Sequence, residues 1–254
     1  MDNPSDDNPT KKNSSESPVG INGGRGQTLI VRNMLVVVLA FTSGFIDALS
    51  FLGLGVFASV QTANTVLLGL AIGSGKILEA LVSLLAITGY IGGVAIGARI
   101  VDPTPVPQKI WPRAVTKSFV IEVLVLLLLA IGEFFAGSKP SGPVLYTLIA
   151  LATIAMGIQS AAVRALGVSD ISTTYITGTW TSLVSILASG RRSKTFKSTG
   201  NRTVETRLKA AVVVVYVLAA IAGGVAETNW LLKAAIIPVI SIGLVIAVAR
   251  IRMP

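Results

Sequence analysis

The chain contains no cysteine and no histidine. The first absence excludes disulfides and cysteine metal sites, and the second removes the commonest proton shuttle and metal ligand. Charged residues make up only 13% of the chain, against about 25% in a typical soluble domain. With a mean hydropathy of +0.76, a soluble chain could not cover its own surface with polar groups. We therefore expect an integral membrane protein in which carboxylates carry any proton chemistry.

Motifs of common enzyme sites are absent as well. The glycine-rich stretch at residues 69–75 lacks the Lys-Ser/Thr ending of a phosphate-binding loop, and the chain has no HExxH or GxSxG motif. Serine and threonine cannot form a standard catalytic triad without histidine. The basic residues cluster in the N-terminal segment and in loops, which is typical of orientation signals in membrane proteins. We expect no enzymatic activity, catalytic residue, cofactor, metal site or nucleic-acid partner.

Eight apolar stretches follow a polar N-terminal segment. Residues 1–28 are rich in Asn, Ser, Asp, Gly and Pro and predict a disordered tail, which leaves residues 29–254 as one transmembrane domain. A helix needs about 20 residues to cross a bilayer, and every stretch is long enough. The predicted fold class is all-α, a polytopic helical membrane bundle. The stretches cover residues 33–52, 56–73, 80–100, 115–136, 143–163, 171–189, 210–227 and 230–250.

The sequence contains a weak internal repeat. GFIDALSFLGLG at residues 44–55 is similar to GIQSAAVRALGV at residues 157–168. Each is followed by a threonine-rich segment, Thr62-Ala63-Asn64 in the first half and Thr177-Gly178-Thr179 in the second. Each segment opens another apolar stretch. We predict two internal repeats with a helix break at each threonine-rich segment, because matched interruptions are typical of duplicated transporters.

The number of membrane crossings depends on the stretches at 56–73 and 171–189. If both are short, broken or re-entrant, the chain has six full spans and the repeats, about 33–136 and 143–250, are inverted. If both span, there are eight crossings and the repeats are parallel. With cytoplasmic N- and C-termini, six crossings place 18 of the 21 Lys and Arg residues inside, whereas eight place 15 inside. The positive-inside rule favours six, and eight full spans remain the alternative.

The same stretches resemble the two signatures of a known family. GFIDALSF followed by QTAN is similar to the signature G-x-x-D-A-x-x-F and Q-T-G-N, and MGIQSA followed by TTYITGT is similar to M-G-x-Q-N-A and T-T-x-x-T-G-T. The chain thus resembles the YoaK family of membrane proteins, a domain of unknown function, over about residues 33–250. It departs from the family at Ala63, where glycine is usual, and at Ser160, where asparagine is usual. The resemblance implies a polytopic helical membrane protein and supplies no substrate.

Polar side chains in and beside the interrupted stretches predict a solute site. Irregular backbone at membrane depth is tolerated only inside protein or beside a water-filled cavity. Asp47 lies about fourteen residues into the first span, where a carboxylate costs about 2.5–3.5 kcal/mol to insert. We expect it to face the bundle and to bond to Gln61 or Asn64, or to Gln159 or Ser160; alternatively, it caps the next segment at a membrane end. The candidate substrate-binding residues are Asp47, Gln61, Thr62, Asn64, Thr65, Gln159, Ser160, Thr177, Gly178 and Thr179.

Three other carboxylates are expected at membrane boundaries. Glu122 follows Lys117 and is interpreted as half of an interfacial ion pair. Glu133 and Glu227 fall near the ends of their stretches and are expected to be solvated. None of the three enters the predicted site.

These observations favour a secondary transporter or permease for a small polar or ionic solute. The expected mechanism is alternating access around two broken helices, with Asp47 coupling a proton or cation. The expected partners are the lipid bilayer, the solute and the coupling ion, and the oligomeric state stays open. The alternative is a non-transporting membrane scaffold or assembly protein, in which the polar residues only satisfy helix breaks. A water-accessible cavity touching both polar segments would favour transport, and dry packing would favour a scaffold.

Overall fold

The computed structural model describes residues 19–101, 110–137, 140–168, 176–188, 199–230 and 234–253. Within these ranges the chain forms eight α-helices and no β-strand. They are α1 (Val19–Leu54), α2 (Gln61–Gly73), α3 (Ile77–Val101), α4 (Arg113–Ala136), α5 (Gly142–Ala165), α6 (Ile176–Ala188), α7 (Thr199–Trp230) and α8 (Ile236–Arg252).

Five of these helices, α1, α3, α4, α5 and α7, are long and apolar enough to cross a membrane. With 17 residues, α8 reaches the lower limit for a span. Helices α2 and α6 have 13 residues each and are about 20 Å long, shorter than the hydrocarbon core of about 30 Å. The predicted all-α membrane bundle is therefore confirmed, and the two short helices lie in the two predicted stretches.

Two helices begin earlier than the apolar pattern predicts. Helix α1 begins at Val19, inside the predicted tail, directly after the last proline of that segment. Helix α7 begins at Thr199, eleven residues before its apolar stretch. An apolar stretch identifies the part of a helix that can lie in lipid. Polar residues can extend the same helix beyond the membrane. The remaining tail residues, 1–18, and the threonines at 173 and 174 lie outside the described part of the chain.

Two pairs of parallel helices make the most extensive contacts in the bundle. In the pair α1/α7, Gly44 lies against the backbone of Tyr216, and Leu52 lies beside Gly224. The second contact lies eight residues after the first on both helices, so the two helices run in the same direction. A Cβ atom at Gly44 would overlap the carbonyl oxygen of Tyr216. Glycine is therefore required for this close approach, as at other small-residue helix contacts in membranes.

The pair α3/α5 is built in the same way. Gly89 lies against Thr153, and Gly97 lies against Ala161, which again advances by eight residues along both helices. Helix α5 is buried along most of its length, between α3, α4 and α1. Helix α8 packs on α4 and α1, whereas α2 packs on α3 and α6 packs on α7.

The short helix α2 belongs to a re-entrant segment. Residue Ser59 bonds to Asp47, seven residues before the end of α1, so the chain turns back into the bundle after α1 ends. A cavity of about 690 Å3 is lined by Leu54 at the end of α1, Ser74 at the end of α2 and Tyr146 near the start of α5. Helix α2 therefore returns to the side on which α1 ends. We call this side the Lys76 face, because Lys76 also lines the cavity.

The opposite side is the basic face, defined by Arg99, Arg113, Lys117, Arg164 and Arg250. The start of α4 and the end of α8 line a common cleft there, so α4 and α8 are antiparallel. Helices α1 and α5 are antiparallel too, because the end of one and the start of the other meet at the Lys76 face. Both orientations agree with six crossings, since eight crossings would make each of these pairs parallel.

A glycine substitution tests the close helix contacts. A Cβ atom at Gly157 of α5 would overlap the Tyr90 carbonyl oxygen and lie 2.7 Å from the Val94 nitrogen. We expect Gly157→Ala to destabilise the protein by about 1–3 kcal/mol and to lower its apparent Tm in detergent. Gly92→Ala is the control, because no atom lies within 4 Å of its new Cβ; we expect it to be neutral or slightly stabilising. Equal effects of the two substitutions would contradict the packing of α3 on α5.

Cysteine labelling tests the orientation of the helices, and the native chain has no cysteine to interfere. The exposed residues Lys76 and Ser141 lie at the Lys76 face, whereas Arg99 and Arg250 lie at the basic face. Single variants Lys76→Cys and Ser141→Cys should react with an impermeant maleimide from one side of sealed vesicles. Arg99→Cys and Arg250→Cys should react only from the other side. Reaction of Lys76→Cys and Arg250→Cys from the same side would contradict six crossings and favour eight.

Candidate functional site

Asp47 is buried where α1, α7 and the re-entrant segment meet. The residue is 2% exposed. It accepts a hydrogen bond from the Ser59 backbone N–H at 2.7 Å and another from the Tyr216 hydroxyl at 2.7 Å. The Ser59 hydroxyl also donates to it. Both carboxylate oxygens are therefore used by protein donors, and Asp47 joins two helices to the segment before α2.

The helix break lies at residues 55–60, upstream of its predicted position. Helix α1 ends at Leu54, and Gly55 follows with φ +77°, a left-handed conformation that glycine adopts without strain. Asn64 holds the break: its side chain accepts from the Phe57 N–H at 3.0 Å and donates to the Phe57 carbonyl at 2.7 Å. Gln61 donates to the Ala58 carbonyl at 3.1 Å. The polar side chains thus provide partners for the irregular backbone, but from the first turn of α2.

The predicted break at Thr62-Ala63-Asn64 is therefore wrong, and so is the one at Thr177-Gly178-Thr179, because both triplets are helical. They occupy the first turns of α2 and α6. Backbone N–H groups of a first turn have no intrahelical acceptor, so polar residues are as suitable there as in a break. A threonine-rich sequence is therefore compatible with both a helix break and the first turn of a helix.

The expected partners of Asp47 were also wrong. Asp47 bonds to Ser59 and Tyr216, whereas the amide of Asn64 is engaged by the backbone of Phe57. Gln159 contacts α1 one turn before Asp47, where its amide donates to the Ser43 hydroxyl at 2.7 Å and the Leu39 carbonyl at 3.1 Å. Asp47 does face the bundle as predicted, and it also caps the segment that precedes α2.

Ser160 occupies a position in α5 that matches Asp47 in α1. Asp47 lies three residues after Gly44, and Ser160 lies three residues after Gly157. Gly157 lies against the backbone of Tyr90 in α3, and the oxygens of Tyr90 and Ser160 are 2.6 Å apart in a hydrogen bond. The same arrangement therefore occurs twice. A glycine (Gly44 or Gly157) lies against the backbone of a tyrosine (Tyr216 or Tyr90), and the hydroxyl of that tyrosine bonds to the residue three positions after the glycine.

The remaining candidate residues divide by burial. Thr62, Thr65, Thr177 and Gly178 are exposed on the first turns of α2 and α6. Asn64 and Thr179 are buried, at 0% and 1% exposure. Helix α2 packs on α3, whereas α6 packs on α7. The threonine-rich first turns of α2 and α6 therefore belong to helices with different packing partners. Gln159 bonds to α1, Gln61 and Asn64 bond to each other and to the segment before α2, and Ser160 bonds to Tyr90 of α3.

Buried carboxylates that the sequence interpretation had set aside lie elsewhere in the bundle. Glu122 is fully buried, and neither of its oxygens has a hydrogen-bond partner in the described part of the chain. The predicted ion pair with Lys117 is wrong, because five residues on a helix turn the two side chains about 140° apart. Glu133 is 2% exposed and Glu227 is 7% exposed, so the expected solvation is wrong too.

A sequence signal could have found two of these carboxylates and was missed. Glu122 and Glu133 share the helical spacing of the buried residues Phe119, Leu126 and Leu129, so they belong to the inward face of α4. Ser59, Tyr90 and Tyr216 were missed because their roles depend on contacts across the fold. Within the described residues, no group of three or more acidic side chains is arranged to hold a metal ion.

Two substitutions test the hydrogen bonds of Asp47. Asp47→Ala leaves the Ser59 N–H and the Tyr216 hydroxyl without their acceptor, and each buried unsatisfied group costs about 1–3 kcal/mol. We expect a large fall in apparent Tm and faster hydrogen exchange at residues 55–60. Tyr216→Phe should have a smaller effect because it removes one bond. Thr65→Val is the control, since Thr65 is exposed; unchanged exchange at 55–60 in Asp47→Ala would contradict the assigned role.

Comparison with known proteins identifies a family and a curated relative. Residues 35–249 match the family described as "Protein of unknown function (DUF1275)". The chain is 34% identical over 223 residues to the UPF0700 transmembrane protein YoaK of Bacillus subtilis (strain 168). This similarity covers 87% of the chain and 96% of the relative. No solved structure matches the chain. The chain therefore belongs to the DUF1275 family, in agreement with its YoaK-like signatures, and is a multi-pass membrane protein.

Proposed function

We propose that the protein is a secondary transporter or permease for a small polar or ionic solute. The observation that carries the proposal is the matched pair of partly buried hydrogen bonds, Tyr216 to Asp47 and Tyr90 with Ser160. They lie at two equivalent helix crossings, and one of them involves a carboxylate next to a re-entrant segment. Paired interruptions near the middle of inverted repeats are typical of secondary transporters.

The packing partners support an inverted repeat. Exchanging α1, α2, α3 and α4 for α5, α6, α7 and α8 converts the pair α1/α7 into α5/α3, the pair α1/α8 into α5/α4, and the pair α2/α3 into α6/α7. All of these pairs are in contact. Because α1 and α5 run in opposite directions, we propose that the two halves, about residues 33–136 and 143–250, are inverted copies.

Alternating access would use the two crossings in turn. The segment 55–60 separates Asp47 from the cavity at the Lys76 face, since Gly55 lines that cavity and Ser59 covers the carboxylate. Displacement of this segment would expose Asp47 to that face while the contact between Tyr90 and Ser160 keeps the other crossing closed. The inverted movement of the second half would reverse the access. Polar groups of Gln61, Asn64 and Gln159 would then bind the solute.

The coupling proton or cation has two candidate carboxylates. Asp47 lies at the crossing, but its oxygens accept three bonds from Ser59 and Tyr216 and must exchange them for the ion. Glu122 has no such partner in the described part of the chain. Because an isolated carboxylate in a membrane interior is costly, Glu122 is well placed to carry a proton. Asp47 would then control access of the solute, and Glu122 would carry the proton whose movement is coupled to transport.

The scaffold alternative also has an observation in its favour. Asp47, Asn64 and Gln61 are engaged in hydrogen bonds that hold the helix break. The cavities of about 610 and 690 Å3 lie at the two faces, and neither lining includes a candidate site residue. A non-transporting protein would need the same bonds to stabilise the fold.

The proposed orientation places the basic face and both termini in the cytoplasm. Arg99, Arg113, Lys117, Arg164 and Arg250 lie at that face, whereas Lys76 lies at the other. Lys and Arg are enriched in cytoplasmic loops. Cysteine variants at Lys76 should therefore react with an impermeant reagent added to intact cells.

Reconstitution in liposomes tests the proposed function. We expect wild-type protein to produce transient currents or pH changes on addition of at least one member of a broad panel of amino acids, organic acids, small cations and anions. Asp47→Asn should reduce net flux at least about tenfold, which corresponds to about 1.4 kcal/mol. Glu122→Gln should abolish proton dependence while keeping solute exchange.

Glu79→Gln is the matched control, because Glu79 is an exposed acid paired with Lys76 at 2.9 Å, and its flux should equal that of wild type. Folding of each variant is checked by size-exclusion chromatography. If folded wild-type protein neither binds nor moves any solute in the panel, and Asp47→Asn leaves the cell phenotype unchanged, the scaffold function is favoured and transport is rejected.

A further inference from the structure

The basic face contains a cleft between the first turns of α4 and the last turn of α8. Its volume is about 610 Å3. Three cationic side chains line it, Arg113 and Lys117 from α4 and Arg250 from α8. The other lining residues are Thr116, Val120, Ile121, Ala249 and Met253, so no acidic side chain of the described chain lines the cleft.

No acidic side chain of the described residues forms an ion pair with the three cations of this cleft. The ion pairs of the described residues join Lys76 to Glu79 and Lys209 to Glu205, and both lie outside the cleft. Glu122 is the nearest acid along α4, but it belongs to the buried face of the helix. Three like charges on adjoining turns repel one another and are stabilised by a shared anion. The positive end of the α4 dipole adds to the same potential.

The rest of the cleft suits a lipid. Val120 and Ile121 continue α4 from the cations toward the membrane interior, and Ala249 does so along α8. An amphiphile with an anionic head and an apolar tail would contact both parts at once. A soluble anion would use only the cationic part.

The rim of the cleft is fixed by Trp111, which is 5% exposed. Its indole N–H donates to the Thr116 hydroxyl at 2.9 Å, and its ring centroid lies 5.9 Å from that of Phe119. Tryptophan is enriched at the membrane–water interface. The cationic residues therefore lie at the depth where phospholipid phosphates occur.

We propose that this cleft binds the phosphate of an anionic phospholipid. Arg113, Lys117 and Arg250 would contact the phosphate, since guanidinium groups bind phosphate oxygens through two parallel hydrogen bonds. The apolar residues would contact the glycerol and the first part of an acyl chain. Basic pockets between transmembrane helices are recognised sites for anionic headgroups. The proposal does not depend on transport.

Lipid selectivity in nanodiscs tests the site. The full-length protein is placed in phosphatidylcholine discs containing a small fraction of phosphatidylglycerol, and the lipid retained on extraction is measured by native mass spectrometry. We expect enrichment of phosphatidylglycerol on the wild type. The triple substitution Arg113→Gln, Lys117→Gln and Arg250→Gln should lower this enrichment about 10- to 100-fold at low salt.

The matched control removes three charges from the same side of the protein but outside the cleft, by Arg99→Gln, Arg164→Gln and Arg207→Gln. It should retain the enrichment of the wild type. If both triple variants lose enrichment equally, general surface charge attracts the lipid and the site is rejected. Inorganic phosphate is added in a separate arm: if it displaces phosphatidylglycerol and raises the Tm as much as the lipid does, the ligand is a soluble phosphate and the lipid assignment is rejected.

A second measurement covers the case in which the triple variant does not fold. In a Trp180→Phe, Trp230→Phe background, the fluorescence comes from Trp111, which bonds to the cleft residue Thr116. Phosphatidylglycerol with brominated acyl chains should quench its fluorescence more strongly than brominated phosphatidylcholine at equal density. The single substitution Arg250→Gln should weaken this preference. Equal quenching by the two lipids would reject the proposal.

Discussion

A polar backbone inside the membrane bundle must be hydrogen-bonded, and much of this structure follows from that constraint. Residues 55–60, between the end of α1 and the start of α2, are not helical, so their backbone groups need partners other than those within a helix. Asp47 and Asn64 supply acceptors and donors for that backbone from opposite sides, one from α1 and one from α2. Tyr216 then ties the same carboxylate to α7. The re-entrant segment is thus part of the core, even though it is not regular.

Close helix contact is the second requirement, and it depends on the first. The hydroxyl of Tyr216 reaches Asp47 because Gly44 lets the two helix backbones approach. The same combination of glycine and tyrosine occurs at Gly157 and Tyr90. A side chain at either glycine would separate the helices and lengthen the hydrogen bond beside it. At each crossing, loss of the close helix packing would therefore also break the hydrogen bond.

Much of the fold could be predicted from the sequence, because lipid imposes a length and a polarity on each span. The helical class and the positions of the short helices follow from apolar runs and from the distribution of Lys and Arg. The polar content of the first interrupted stretch correctly indicated buried hydrogen bonding at Asp47 and Asn64.

The partners of these residues could not be predicted. Tyr216 is 169 residues from Asp47 in the chain, and only the packing of α7 on α1 brings them together. The break at 55–60 was misplaced because threonine and asparagine suit both a break and a helix start. Glu122 does not pair with Lys117 because a separation of five residues places the two side chains on different sides of α4.

The pairing of α1 with α7 also has a consequence for biogenesis. During synthesis, α1 enters the membrane long before the ribosome has made α7, whereas α3 and α5 are made close together and can associate early. Until α7 arrives, the carboxylate of Asp47 has no tyrosine and Gly44 has no helix to contact. The N-terminal helix must therefore wait in the bilayer with an acid that keeps only the hydrogen bonds from the segment containing Ser59.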